Sequence, residues 1–203
     1  MIPEKETKPK NRVRQKANKA KKFRCKDLIA VLEAPKYLGN VGSVIRNIDS
    51  LGVSKLYIID SHKRLPSTWE EMKTEKALND TSCSAIQWVF VKTFQNTWEG
   101  LEHLKKKGYV SFATSPHQKT KKNINLCEGN FTQKKLAIWF GNESKGLSPT
   151  ALDACEACIQ IPMAGIIESL NLATASGIVL YEITKQRRNF SDKLKESKKT
   201  PFK

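Results

Sequence analysis

Short apolar runs alternate with helix-spaced segments through nearly all of residues 28–188, and that alternation leaves few ways to bury the chain. Leu28-Ile-Ala-Val-Leu32, Lys55-Leu-Tyr-Ile-Ile59, Tyr109-Val-Ser-Phe-Ala113, Leu136-Ala-Ile-Trp-Phe140 and Ala157 to Ile161 have strand length, and Ile86 to Val91 reads the same way. Between them, Val44, Ile48 and Leu51 form a helix stripe within Asn40 to Leu51; Trp98, Leu101 and Leu104 form another, ended by Gly108. Ser148-Pro149 opens a further helix, with serine capping and proline in the first turn. The last helix is expected from Ser169 to about Arg188, and the polar residues 66–80 fit either helix or loop. Strands interleaved with helices predict an α/β fold, a mainly parallel sheet with helices on both faces.

Three crossings in this pattern gather polar groups where a chain leaves or enters an element, the place where open α/β sheets bind ligands. In Gly39-Asn-Val-Gly-Ser-Val-Ile-Arg-Asn47, Asn40 reads as a helix N-cap, and Gly39 and Gly42 let another group approach the backbone. Arg46 lies about 200° around the helix from Val44, so it points away from the core; taken alone, it is an ordinary solvated arginine. In Phe140-Gly-Asn-Glu-Ser-Lys-Gly-Leu-Ser148 a buried strand runs into a polar turn that sets Glu143 at a carboxyl end of the sheet. The third, Ile159-Gln-Ile-Pro-Met-Ala-Gly-Ile-Ile-Glu-Ser-Leu-Asn171, stops a strand at Pro162 and opens a helix of small residues on Ser169 and Asn171. Those small residues also suit close helix packing without any ligand.

Charge adds a partner. The chain's net charge of +16 is unevenly placed: residues 1–24 carry ten Lys/Arg against Glu4 and Glu6, and residues 185–203 carry eight against Asp192 and Glu196. A nearly neutral body, 25–184, between two basic extensions, 1–24 and 185–203, is the footprint of a polyanion-binding protein. The bland alternative is a pair of solvated, mobile ends. Membrane attachment is not expected: the extensions hold few bulky apolar residues, and no apolar run approaches the roughly 20 residues that span a bilayer. Without the apolar core of a secretory signal at the N-terminus, a cytoplasmic location is expected. The odd set of five cysteines points to reduced thiols, and Cys155-Glu-Ala-Cys158 to buried small residues ahead of half of a zinc site.

In order and spacing, Asn40 with Arg46, then Phe140-Gly-Asn-Glu143, then Ile161-Pro-Met-Ala-Gly165 with Ser169-Leu-Asn171 resembles the three signature motifs of the SpoU/TrmH family of RNA ribose 2′-O-methyltransferases, in the SPOUT superfamily. The resemblance spans roughly residues 28–184. It implies a C-terminal deep trefoil knot, which sequence pattern alone argues against because knotted chains are rare. It also implies a homodimer, and S-adenosylmethionine held largely by backbone around Thr114, Gly141, Ile161, Met163 and Leu170, with no metal. Arg46 is implied as the group that handles the ribose hydroxyl. Asn40 and Asn171 are implied as its orienting partners, and Glu143 and Ser169 as anchors of the loops. The substrate implied is RNA, with tRNA first and a D-loop guanosine as the leading target; anticodon-loop and ribosomal RNA nucleotides are alternatives. A silent RNA-binding protein that keeps the fold, or a DNA-binding accessory protein, are readings of other classes.

Overall fold

The computed structural model of the chain describes residues 9–117 and 122–197. Seven strands form one sheet: β1 (Cys25–Glu33), β2 (Val53–Ile59), β3 (Phe90–Phe94), β4 (Val110–Thr114), β5 (Asn123–Asn125), β6 (Leu136–Phe140) and β7 (Ala157–Gln160). Their order is β3-β2-β1-β6-β4-β7-β5, and every adjacent pair is parallel. The helices are α1 (Pro9–Ala20), α2 (Leu38–Leu51), α3 (Trp69–Thr74), α4 (Lys76–Ser82), α5 (Thr97–Lys106), α6 (Pro149–Ala154) and α7 (Leu172–Ser197).

Side chains that alternate along each strand divide the core in two. Leu28, Ala30 and Leu32 of β1 join Leu56, Ile58, Ile138 and Phe140 beneath Val44 and Ile48 of α2 and Val179, Leu180 and Ile183 of α7. Ile29 and Val31 join Tyr57, Ile59 and Trp139 beneath Leu101 and Leu104 of α5 and Ala151 of α6. All of β6 is buried, as a central strand covered on both faces must be, which is why it reads as an unbroken apolar run.

Several elements depart from the periodicity. Ile86 to Val91 is not a strand: Ala85–Gln87 forms a 3₁₀ turn, and the strand begins at Phe90. Ile86 and Val89 are apolar because the turn itself is buried. Trp98 lies off the stripe of α5 and is 66% exposed. The polar 66–80 stretch holds two short helices, the first opened by a capping box between Thr68 and Glu71. In the basic N-terminal extension, Pro9–Ala20 is helical, and its exit is held by an Arg24–Asp49 ion pair and by Cys25 N donating to Gly52 O at 2.7 Å. Residues 1–8 and 198–203 lie outside the described residues.

Helix α7 runs straight through position 185 to Ser197, so the junction of body and C-terminal extension falls inside a continuous helix. Arg187 is turned onto the body: Nη1 donates to the carbonyls of Gln133 at 2.6 Å and Phe131 at 3.2 Å, and Nη2 to that of Lys134 at 3.2 Å. A guanidinium has several donors in a rigid fork, and here they satisfy loop carbonyls that no strand can reach.

Candidate active site

The three crossings meet at the carboxyl ends of β1, β4, β6 and β7. The turn after β6 is locked first. Asn142 and Gly146 form an isolated bridge, with amide bonds of 3.0 and 2.8 Å in the two directions. Asn142 Oδ1 accepts from the amides of Ser144 and Lys145, while its Nδ2 donates to Ala34 O at 2.7 Å. A Cβ at position 141 would overlap the backbone of Gly146 and Leu147, and Gly146 itself has φ +70°. Only glycine lets the strand end press so close to the returning turn.

This turn presents Glu143 to the start of α2. Its carboxylate accepts from the amides of Lys36 at 2.8 Å and Tyr37 at 3.3 Å, and from Asn40 Nδ2 at 2.8 Å. Asn40 therefore is not the N-cap expected from the sequence. Tyr37 holds that position without a side-chain bond, α2 begins at Leu38, and Glu143, over a hundred residues away, accepts from the two amides that precede the helix. A carboxylate only accepts, so Asn40 must turn its amide NH₂ to Glu143 and its Oδ1 outward. That oxygen accepts from Asn171 Nδ2 at 3.1 Å. Asn171 in turn caps α7, accepting from the amides of Ala173 at 2.8 Å and Thr174 at 3.4 Å. One directed hydrogen-bond chain thus runs from the amino end of α7 through Asn171 and Asn40 to Glu143. Burial pushes the Glu143 carboxyl upward, but its bonds from Asn40, Lys36 and neighbouring amides outweigh that and hold it below its usual value.

Beside the chain lies a cavity of about 310 Å³, floored by Phe140, Ile159 and Val179. Thr114, Gly141, Ile161, Met163 and Leu170, the five positions expected to hold a cofactor, all line it, as do Glu143 and Ser169. Asn40, Asn171 and Arg46 do not. Thr114 spends its hydroxyl on the Trp139 carbonyl at 2.8 Å. Ser169 sits in the exposed 161–171 loop, ahead of α7 rather than inside it. Arg46 is exposed on α2, and no carboxylate among the described residues pairs with it.

Two features escaped sequence reasoning. Gly42 admits a protein helix and no ligand: a Cβ there would overlap Thr81 Oγ1 of α4. Asn47, beside Arg46, donates to Ala173 O at 2.8 Å and Ser176 Oγ at 3.2 Å, fixing α2 against α7. It lies seven residues from Asn40, two helical turns along the same face, which is the signal that would have found it. Cys155 and Cys158 are buried, and burial pushes their thiols up to about 12 and about 11. They therefore stay protonated at neutral pH, as packing residues would.

The SpoU rRNA methylase family model matches residues 27–181. A tRNA (guanosine(18)-2′-O)-methyltransferase of Borreliella burgdorferi is 33% identical over 165 residues, 81% of this chain and 69% of that protein. Among solved structures, the Aquifex aeolicus TrmH/SpoU tRNA modifying enzyme superposes with a TM-score of 0.72 at 27% identity, over 88% of this chain and 86% of the other. The SpoU methyltransferase AviRb of Streptomyces viridochromogenes, in complex with the cofactor AdoMet, gives 0.66 at 25% identity, over 81% and 59%. With the matched span covering all but the first two residues of the sheet and all three crossings, the chain belongs to the SpoU methylase family.

Proposed function

We propose that this chain transfers the methyl group of S-adenosylmethionine to the ribose 2′-hydroxyl of a tRNA nucleotide, with a D-loop guanosine as the first target. The observation that carries this reading is one cavity lined by the second and third motifs, to which the Glu143–Asn40–Asn171 chain ties the first. The substrate rests on the named activity of the Borreliella and Aquifex relatives.

The cavity suits the cofactor. Its walls are apolar at Ile159, Ile161, Leu172 and Val179, and offer backbone groups along Gly141 to Leu147. Such a mixture fits a nucleoside with a thioether-like chain and no phosphate. When bound, S-adenosylmethionine supplies an electrophilic methyl group on sulfonium sulfur. The chain's own residues do the rest. The 2′-hydroxyl must lose its proton as it attacks. Arg46 is a poor base, since a guanidinium stays charged. Its role is to grip a neighbouring RNA phosphate in bidentate fashion and to stabilise the developing alkoxide, while the proton leaves to phosphate or water. Asn40 and Asn171 hold α2 and the 161–171 loop in register so that Arg46 and the cavity keep a constant separation; Ser169 lines the approach.

We take the working unit to be a homodimer. Arg46 does not line the cavity of its own chain, and Ile166 and Ile167 beside that cavity are 98% and 70% exposed, a heavy apolar exposure for a loop next to a site. We take the C-terminal part to be a trefoil knot, as membership of the SpoU family implies, and read the basic extensions as RNA-holding arms in a cytoplasmic enzyme. Incubation with labelled S-adenosylmethionine and total RNA, followed by mapping of 2′-O-methyl positions, tests the assignment. Label in the tRNA D-loop is the expected result; no incorporation into any RNA would leave a silent RNA-binding protein.

A further inference from the structure

A second charged surface lies at the other end of the sheet. Strand β3 is an edge strand, and its residues pair with β2 in the register Lys55 to Phe90 and Tyr57 to Lys92. Helix α5 runs back over this face and ends in Lys105-Lys106-Lys107. His103 packs its ring edgewise on Tyr57 at 5.6 Å and against Phe94 at 5.3 Å. Lys92 Nζ lies 5.0 Å from the same Phe94 ring. Lysines from two strands and one helix therefore surround a single imidazole.

The surface continues sideways. Lys135, at the start of β6, donates to Lys107 O at 2.7 Å and stands 5.7 Å from the Tyr109 ring, and Tyr109 Oη donates to Lys26 O at 3.4 Å. Two residues further back is Arg24, where the basic N-terminal extension joins the body. The strip thus reaches from the sheet edge toward the root of the arm.

Lysines at the end of α5 suit the helix dipole, but that does not explain Lys55 of β2, Lys92 of β3 and Lys135, the residue before β6. Among the described residues, the carboxylates ion-paired along the strip are Glu102, 3.7 Å from Lys106 with both side chains exposed, and Asp49, on Arg24 at its far end. The lysines depress the His103 pKa, after burial, and Lys92, Lys107, Lys106 and Lys55 act in that order. Phe90, opposite Lys55, is 43% exposed. A like-charged cluster beside an exposed aromatic ring complements a polyanion with stacking bases.

We propose that this strip is a second RNA-contact surface, gripping the phosphate backbone of the substrate at a distance from the methylated nucleotide. It rests on the RNA methyltransferase reading above. The strip flanks the amino ends of the strands whose carboxyl ends form the cavity, about 17 Å away for five residues of strand. Contacts there position a folded RNA and add affinity, without touching the reacting ribose.

The test is the full chain carrying Lys55→Gln, Lys92→Gln and Lys107→Gln together, with Lys→Arg at the same sites as the control for folding. RNA binding is measured against salt with bulk tRNA, alongside S-adenosylmethionine binding. Loss of three phosphate contacts should make the log–log salt slope shallower by about 2 to 3 and raise KM for RNA, with cofactor affinity unchanged and the arginine variant like wild type. In NMR titrations of the wild type, the His103 pKa should climb when tRNA is added, because phosphate cancels the lysine field. An unchanged slope in the glutamine variant would overturn the strip while leaving the methyltransferase reading intact. Absence of methylation with an altered slope would fail that reading and leave the strip standing. Strip-dependent binding to phosphatidylserine vesicles without strip-dependent RNA binding would also overturn it.

Discussion

Glu143 shows how one side chain joins two distant parts of the sequence. Its carboxylate is the common acceptor for the start of α2 and for Asn40, and its hydrogen bonds hold its pKa low against the opposing effect of burial. A group whose folded pKa is depressed contributes stability above its unfolded value, near 4.5, and loses that contribution as pH falls through the lower folded value. Glu143→Gln is therefore expected to cost about 1 kcal/mol at neutral pH and to flatten the acid limb of stability below about pH 4.5, measured by urea titration at several pH values. An identical acid limb in the variant would remove the carboxylate from this role. At Arg46 the expectation is kinetic. Arg46→Lys keeps the charge but loses the planar fork, so methyl transfer should fall at least about tenfold, or 1.4 kcal/mol, with cofactor binding unchanged; wild-type turnover would contradict the phosphate-gripping role. The motif residues were legible from the sequence because their types and order recur as a set. The direction of each bond was not, since Asn40 acts toward Glu143 and Asn171 and never caps its own helix.

The elements tell a similar story about small residues. Asn47 joins α2 to α7 through Ala173 O and Ser176 Oγ, and a Cβ at Gly177 would come 3.2 Å from Asn47 Nδ2. Alanine is the better helix former by about 1 kcal/mol, yet at position 177 it presses on the asparagine. Gly177→Ala should therefore stabilise the chain more in an Asn47→Ala background than in wild type, by about 0.5–1 kcal/mol in a double-mutant cycle followed by thermal unfolding. Strict additivity would mean that the two helices are not clamped there. Strands were the easiest elements to read, since β6 and the 28–32 segment of β1 are buried and carry no polar residue. The 85–91 segment misled because burial, and not strand geometry, set its composition.

For the whole molecule, charge and fold divide the work. The core begins at Leu28, so removing residues 1–22 should leave the sheet and cofactor binding intact while weakening RNA binding across sequences. If the arm neutralises six phosphates, the log–log salt slope should lose about 4 to 5; unchanged affinity at low salt would take the arm out of RNA binding. The sequence by itself determined the alternation that makes a parallel α/β sheet, the uneven placement of charge and the family motifs, because periodicity, net charge and residue order are properties of the chain. Only the tertiary structure decided that Glu143 reaches the start of α2, that Arg187 faces inward, and that lysines of β2, β3, the end of α5 and the approach to β6 share one strip. Those depend on which strands lie side by side: the order β3-β2-β1-β6-β4-β7-β5 sets residues more than a hundred positions apart within hydrogen-bond reach, and no local pattern encodes that neighbourhood.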